Sequence, residues 1–445
     1  MIDEIPGTEE YLYELAVLYI YDKKPLEAIR IYDEIETLYG VNETSSLQKR
    51  MLYAELGKMD QAIAESEKLI EVFPDEEQFV LAFAEFLSQQ NQRDRAIQLL
   101  NDYLKTHGES GSTKMLLAGI YRDNGQEKEA RALIIKTIED PSVEVGSKVL
   151  MVAIYLNQFT EQKEQTENEG LRQFLVLTTD KLIEQYPADP NVFLVAGDLM
   201  LALSNEPEAC TNYQRAIQNG STSFDAWQNL LVIESKLNFI DSLLKHSESC
   251  LELFPNQGIV YYFNGYANFR KKRYKESASA LEQAKKLSAS NPQTIFEINS
   301  LLGDVYNASK EYSKSDKAYD EALAYKPNDE VILNNYSYYL ALRKENLERA
   351  EKMSEQLVKN RPDNPSYLDT HAWVLFMREK YKEARKIIEK AISAGGTSAI
   401  FYEHYGDILF KLGEVDEAVV QWKQSKNLDA KNEHIDKKIA NRNIN

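Results

Sequence analysis

A fixed internal period of 34 residues constrains this chain more than any other feature of its sequence. Four successive repeats begin at that spacing: Glu9, Glu43, Glu77 and Gly111. Each of them has an alanine at its twentieth position: Ala28, Ala62, Ala96 and Ala130. Within each repeat the apolar residues recur with a period near 3.6, which is typical of helices. The sequence therefore predicts two helices and a tight turn per repeat, and no β-strand.

The clearest copy of the repeat is residues 296–327, with the sequence FEINSLLGDVYNASKEYSKSDKAYDEALAYKP. Small residues occupy its positions 8, 20 and 27, which are Gly303, Ser315 and Ala322. An aromatic residue, Tyr319, occupies position 24, and a proline, Pro327, occupies position 32. Small residues let two antiparallel helices approach, and large ones fill the space beside them. A single repeat leaves one face unburied, so a stack of repeats is the folding unit.

This pattern of small residues, aromatic and proline resembles the tetratricopeptide repeat (TPR), a helix-turn-helix unit. The resemblance implies an all-α fold, an α-solenoid of about twelve repeats in a right-handed superhelix with a C-terminal capping helix. The last repeats contain YLDTHAW at 367–373 and EHYGDI at 403–408. They are similar to repeats of long TPR proteins from Gram-negative bacteria. That similarity favours an exported, lipid-anchored location in the cell envelope, with the cytoplasm as the alternative.

The phase of the repeats predicts four parts of the chain. Residues 1–141 form an acidic N-terminal array of about four repeats, and residues 142–189 form a degenerate repeat with an insertion. Its helices are predicted at 145–159 and 171–186, and the polar stretch 160–170 between them is either a hinge or an ordered loop. Residues 190–431 form a C-terminal array of seven repeats, and residues 432–445 form the cap. The seven repeats begin at Pro190, Phe224, Gly258, Phe296, Glu330, Pro365 and Ala399. The long step before Phe296 predicts a linker at 288–292.

The net charge of -19 is concentrated in the first half of the chain. Residues 1–200 contain 37 acidic and 19 basic residues, and residues 201–445 contain 34 and 33. Such acidity disfavours nucleic acid and favours a neutral to basic protein or peptide partner. Mean hydropathy is -0.49, and no apolar run approaches the ~20 residues of a membrane span. The start, MIDEIPGTEE, lacks the basic and apolar stretches of a signal peptide, so export would need a signal outside this sequence.

No pattern in the chain predicts catalysis, a cofactor or a metal site. Five histidines are scattered, and only His371 and His404 fall in adjacent repeats, where Glu403 and Asp407 are the nearest further ligands. We expect packing or capping roles for them. Two cysteines lie 40 residues apart on predicted second helices, which predicts buried packing residues: Cys210 and Cys250.

Two turns are candidates for binding motifs. Residues 108–114 lack the residue order of a phosphate loop, and we interpret them as an inter-repeat turn with Ser112 or Thr113 as N-cap. The basic run 270–273 is interpreted as a solvated turn, with contact to an acidic partner or a lipid headgroup as the alternative.

The TPR resemblance implies that the first helix of each repeat lines a concave surface through positions 2, 5, 9, 12 and 13. The residues at these positions in the second half form the predicted peptide-binding set: Tyr262, Tyr266, Phe269, Arg270, Asp304, Asn307, Asn334, Tyr338, Asp369, Trp373, Phe376, Glu403 and Asp407. Aromatic rings bordered by carboxylates and amides suit an extended peptide. The alternative is that part of the set packs between adjacent first helices.

These observations predict a non-enzymatic scaffold or adaptor that binds a peptide or protein. Chaperone-binding members of the family have lysine at position 5 and asparagine at position 9 of one repeat, and no repeat of this chain does, which disfavours capture of an acidic C-terminal tail. The alternative function is a structural module that forms homo-oligomers within a larger cell-envelope complex.

Overall fold

The computed structural model of the chain describes residues 8–108, 110–161 and 169–444. These residues form 25 α-helices and, over the same ranges, no β-strand. Their contacts separate two compact units, Met1–Thr222 (unit 1) and Ser223–Asn445 (unit 2). None of the helices in the described ranges is both long enough and apolar enough to cross a bilayer.

Unit 1 consists of six helix pairs, and within each pair the two helices pack against each other. The helices are α1 Thr8–Tyr21, α2 Pro25–Tyr39, α3 Glu43–Glu55, α4 Met59–Val72, α5 Glu77–Gln89, α6 Arg93–His107, α7 Gly111–Asp123, α8 Glu127–Glu139, α9 Val145–Glu161, α10 Glu169–Gln185, α11 Pro190–Ala202 and α12 Glu206–Gln218.

Unit 2 consists of six further pairs and one last helix. The helices are α13 Phe224–Lys236, α14 Ile240–Leu253, α15 Gly258–Arg270, α16 Tyr274–Leu287, α17 Pro292–Ala308, α18 Tyr312–Tyr325, α19 Glu330–Arg343, α20 Leu347–Asn360, α21 Pro365–Met377, α22 Tyr381–Ser393, α23 Ala399–Lys411, α24 Val415–Leu428 and α25 Glu433–Asn441. The all-α class, the twelve pairs and the C-terminal helix are thus confirmed.

The predicted repeat starts coincide with observed helix starts at nine positions: Glu43, Glu77, Gly111, Pro190, Phe224, Gly258, Glu330, Pro365 and Ala399. Helix α1 begins one residue before the predicted Glu9. In the degenerate repeat, α9 and α10 extend two residues further into the polar stretch than predicted. Its centre, residues 162–168, lies outside the described residues, so the hinge and the ordered loop both stay predictions.

The first helix of the repeat predicted to start at Phe296 begins about one helical turn earlier than that residue. Helix α17 already begins at Pro292, whose missing N–H costs nothing at the first helical position. The Asn291 side chain caps the helix, because its Oδ1 accepts a hydrogen bond from the Thr294 N–H at 3.1 Å. The four extra residues of this repeat therefore lengthen the helix, and only part of the predicted linker is a turn.

The N-cap of α7 also differs from the prediction. Ser110, and neither Ser112 nor Thr113, caps the helix, since its Oγ accepts from the Thr113 N–H at 3.3 Å. Ser110 and Thr113 also donate hydrogen bonds to Glu77, which begins the preceding repeat. This turn links neighbouring repeats.

Close packing of the two helices of a pair requires glycine at position 8 of the repeat. A Cβ atom on Gly303 would lie 2.5 Å from the ring of Tyr319, which is fully buried. The same fit of a glycine against a large residue at position 24 recurs in three more repeats: Gly197 with Tyr213, Gly265 with Leu281, and Gly406 with Trp422. Here the predicted pairing of small and large positions is observed directly.

Both cysteines are buried on second helices, as expected. Burial raises the pKa of the Cys250 thiol to about 11, which keeps it protonated at neutral pH. Cys250 therefore behaves as a small core residue.

Candidate functional site

The predicted peptide-binding residues lie on five successive first helices of unit 2, namely α15, α17, α19, α21 and α23. We call this surface the first-helix face. Each of these helices packs against the next one in the series. The structure therefore brings the predicted set onto neighbouring helices, but the environments of its members differ along the row.

On α15 the set is accessible. Tyr262, Tyr266 and Phe269 are half-buried, and Arg270 is exposed. Arg270 Nη1 donates to the Tyr266 hydroxyl at 2.7 Å, and the guanidinium lies 5.7 Å from the centroid of that ring. Burial raises the pKa of Tyr262 to about 12. This end of the face thus offers aromatic surface that a partner can contact.

On α17, Asp304 accepts three hydrogen bonds. The donors are the hydroxyl of Tyr319 at 2.7 Å, the hydroxyl of Tyr339 at 3.2 Å and Nδ2 of Asn335 at 3.4 Å. Burial raises the pKa of Asp304, and these three donors lower it in part. Asp304 thereby ties α17 to its own second helix and to α19. Asn307, one turn further, is half-buried.

The bond from Tyr319 to Asp304 belongs to a recurring arrangement that was not predicted from the sequence. In three repeats the residue after the close-packed glycine is an aspartate that accepts a hydrogen bond from the aromatic at position 24: Tyr213 to Asp198 at 2.5 Å, Tyr319 to Asp304 at 2.7 Å, and Trp422 to Asp407 at 2.9 Å. The sequence does contain a signal for this arrangement, since in all three repeats a Gly-Asp pair precedes a Tyr or Trp by the same interval. Asp304 and Asp407 therefore have structural contacts within their own repeats.

On α21 the set is largely buried. Trp373 stacks between Phe376 and His404, with ring centroids 4.8 Å and 4.0 Å away and both interplanar angles at 16°. Asp369 is 5% exposed, and its Oδ1 lies 2.9 Å from His404 Nδ1. These contacts join α21 to α23. They match the alternative that part of the set packs between adjacent first helices.

On α19, Tyr338 lies at the edge of this stack, with its ring centroid 6.3 Å from that of His404. Burial first, and then the charges of Asp369 and Glu403, raise its pKa to about 12. Because burial is the largest cause, the raised pKa shows mainly that the Tyr338 hydroxyl is shielded from water.

Two polar atoms on neighbouring helices of the face have no hydrogen-bond partner among the described residues. They are Oδ1 of Asn334 on α19 and Nε1 of Trp373 on α21. One is an acceptor and the other a donor. Buried polar groups are normally satisfied, so each leaves a hydrogen bond to be made.

At the C-terminal end of the face, Lys438 of α25 neutralises two carboxylates of the predicted set, Glu403 and Asp407. Its Nζ donates to Glu403 Oε1 at 2.8 Å and to Asp407 Oδ2 at 2.7 Å. Lys438 is only 4% exposed. From the sequence, α25 was predicted only as a polar cap, and this contact was missed. The spacing of Lys438 from buried Ile435 places both on one face of α25.

The remaining candidate groups lie apart from one another. His371 Nδ1 is 2.9 Å from the Ser354 hydroxyl, whereas His404 faces Asp369. The basic turn that follows α15 is exposed, and its Lys271 pairs with Asp241. Among the described residues no group of three or more metal-ligating side chains converges.

Comparison with known proteins matches two family models described as Tetratricopeptide repeat, at residues 53–112 and 296–329. A third model, described as Anaphase-promoting complex, cyclosome, subunit 3, matches residues 343–421. Yeast Tom70 is a solved structure with 17% identity and a TM-score of 0.38, covering 98% of this chain and 94% of its own.

Two relatives were found by sequence. TPR repeat-containing protein YpiA of Bacillus subtilis (strain 168) is 22% identical over 420 residues, which covers 84% of this chain and 95% of that protein. The Peroxisomal targeting signal receptor of Kluyveromyces lactis is 26% identical over 250 residues, covering 47% of this chain and 42% of the receptor. Together with the helix pairs and the glycine packing described above, these matches lead to one conclusion. The chain is a tetratricopeptide repeat protein.

Proposed function

We propose that the chain is a non-enzymatic scaffold for protein–protein interaction, and that the first-helix face of unit 2 binds an extended peptide. The single observation that carries the peptide site concerns two atoms on adjacent helices, Asn334 Oδ1 and Trp373 Nε1, which have no hydrogen-bond partner in the described part of the chain. An extended peptide backbone presents both an N–H and a C=O, which could satisfy this acceptor and this donor.

The surroundings of this pair support a peptide ligand. Tyr262, Tyr266 and Phe269 on α15 provide half-buried aromatic surface, which supplies contact area at low entropic cost. The net charge of -19 favours a neutral to basic segment over an acidic one. The Kluyveromyces relative is by name a receptor for a targeting signal, which fits a binding role for this chain.

A peptide array with neutral, basic and acidic sequences tests this proposal. We expect neutral and basic peptides to bind, and the fluorescence of Trp373 to change on binding. Tyr266→Ala and Asn334→Leu should each weaken the selected peptides by about tenfold, as expected for loss of about 1.4 kcal/mol. Leu253→Ala, at an exposed position of the second helix α14, is the matched control and should bind like the parent. Equal binding by all three variants would place the peptide elsewhere.

Self-association is the second candidate. The chain exposes large apolar side chains at its N-terminal helix, among them Tyr11, Leu18 and Tyr21 at 68%, 62% and 82% exposure. An exposed apolar surface of this kind favours association. Light scattering decides between the candidates, because a mass of 51.1 kDa at every concentration excludes a stable homo-oligomer.

A further inference from the structure

A cavity of about 450 Å³ lies among the helices of the repeat that begins with α17, and it is separate from the predicted peptide-binding residues. Residues of α17, of α18 and of the α16 segment before it line the cavity, including Ile295, Asn299 and Tyr325. None of these three belongs to the first-helix set. Tyr325 at the rim is half exposed, so a ligand can reach the cavity from solvent.

Asn299 is the unusual residue of this cavity. Its side chain is 1% exposed, and neither its Oδ1 nor its Nδ2 has a hydrogen-bond partner among the described residues. Three polar side chains at the same position of other repeats do reach a partner: Ser46 with Glu36, Lys114 with Asp140 and Lys148 with Tyr186. Asn299 therefore keeps a free donor and a free acceptor where comparable residues are satisfied.

The chemistry of the cavity selects its ligand. A carboxamide with one free donor and one free acceptor is matched by a second carboxamide, which presents the complementary pair at the same spacing. A trans backbone amide does not meet this requirement, because its N–H and C=O point in opposite directions. A side chain that ends in a carboxamide has an N–H beside its oxygen and can enter the cavity that Asn299 lines.

The charges and the apolar surface that line the cavity narrow the choice of ligand further. Lys285 and Glu321 both line the cavity and form an ion pair, so their charges cancel and a neutral ligand is favoured. Their side chains are 28% and 34% exposed, and a pair of that exposure is weak enough to shift when a ligand enters. Ile295 offers apolar surface for a methylene stem.

We propose that this cavity binds a glutamine side chain of a protein partner. The glutamine carboxamide forms two hydrogen bonds with Asn299, and its two methylene groups pack against Ile295 and Tyr325. The site is independent of the peptide site on the first-helix face, so the chain holds a partner at two places of unit 2.

Titration of the 445-residue chain with Ac-Gly-Gln-Gly-NHCH3 tests the site, with ligand-observed NMR for affinity. The side-chain NH2 signal of Asn299, assigned by its loss in Asn299→Leu, reports the position of binding. We expect this signal to shift saturably with the glutamine peptide. Ac-Gly-Met-Gly-NHCH3, which has a similar shape and no primary carboxamide, should bind about tenfold more weakly.

Two variants make the test specific. Asn299→Leu should lose the glutamine peptide while its Tm stays the same or rises, because two unsatisfied buried atoms are removed. Ala324→Phe, at an exposed position that lines the cavity, should block entry without altering the core. Gln293→Leu, an exposed amide on the same helix, should bind like the parent.

Equal affinity of the two peptides would overturn the proposal, because it would mean recognition of the backbone. An unmoved Asn299 signal, or full binding by either Asn299→Leu or Ala324→Phe, would also overturn it. Because the Tyr266→Ala variant leaves the cavity intact, it should bind the glutamine peptide normally even if the first-helix face has no ligand.

Discussion

Single residues decide how closely the two helices of a repeat approach. Gly303 has no room for a side chain, since a Cβ would lie 2.5 Å from the buried ring of Tyr319. Asp304, the next residue, accepts a hydrogen bond from the Tyr319 hydroxyl. Gly303, Tyr319 and Asp304 form one unit of packing, so a substitution at any one of them should alter the contacts of the other two.

We predict that Gly303→Ala lowers the free energy of unfolding by about 1–3 kcal/mol, because the added methyl group displaces Tyr319. Urea unfolding followed by tryptophan fluorescence measures the loss. Gly119→Ala lies in unit 1, is followed by far-ultraviolet circular dichroism and is the matched control. Gly119 is also helical, and the space that a methyl group would occupy there is open, so alanine should be neutral or stabilise by up to about 1 kcal/mol. Equal effects of the two substitutions would show that the glycine fit has no special cost.

A second residue-scale prediction concerns acid sensitivity at His371. Burial lowers the pKa of His371 below its ordinary value, while nearby carboxylates raise it in part. The unfolded chain therefore takes up the proton more readily than the folded chain. Stability from neutral His371 is present above the ordinary histidine pKa of about 6.5 and is lost as the pH falls through that value and the lower folded pKa.

The difference in unfolding free energy between the parent and His371→Gln should consequently shrink between pH 7.5 and pH 5.5. Urea titrations at both pH values, with the parent and the variant side by side, measure it. A difference that stays constant or grows on acidification would contradict the assignment.

At the scale of elements, the last helix is held by charge as well as by apolar contact. Helix α25 buries Ile435 and places Lys438 against Glu403 and Asp407 of α23. Terminal repeats expose a face that internal repeats bury against a neighbour, and a cap has to cover it. Here the cap also neutralises two carboxylates that would otherwise lie at the end of the first-helix face.

Lys438→Met should therefore destabilise unit 2 by about 3–5 kcal/mol, since it leaves buried carboxylates without a counter-charge. Lys437→Met, at the exposed neighbouring position, should change stability by no more than about 0.5 kcal/mol. Adding Asp407→Asn to Lys438→Met should recover part of the loss. Urea unfolding followed by tryptophan fluorescence gives all three values, and an unaffected Lys438→Met variant would show that α25 docks through Ile435 alone.

At the scale of the whole molecule, the chain forms two compact units that meet in sequence between Thr222 and Ser223. All three tryptophans belong to unit 2: Trp227, Trp373 and Trp422. Tryptophan fluorescence therefore reports on unit 2, whereas far-ultraviolet circular dichroism reports on the helices of both units.

If the two units unfold separately, the two signals will not coincide in a urea titration. We expect Ile35→Ala, which removes a fully buried side chain from unit 1, to shift the dichroism curve by about 2–5 kcal/mol and leave the fluorescence curve in place. Gly303→Ala should move the fluorescence curve. A fluorescence midpoint that follows Ile35→Ala would show that the units unfold together.

Local features were readable from the sequence because repeat chemistry is local. The phase of small residues gave the helix pairs, and prolines and glycines gave most of the turns. Helix α17 begins one turn before the repeat phase at Phe296, because Asn291 caps the helix there. The domain boundaries at 141, 189 and 431 and the location in the cell stay predictions.

The sequence by itself determined the fold of this protein, because helix periodicity and the small-residue pattern depend only on neighbours along the chain. Only the tertiary structure decided what each inward-facing residue contacts. Asp369 meets His404, Asp407 meets Lys438, and Asn299 has no hydrogen-bond partner among the described residues. Such pairings depend on the rotation and axial offset of one helix against the next. Periodicity fixes the face on which a residue lies, and packing between repeats fixes its partner.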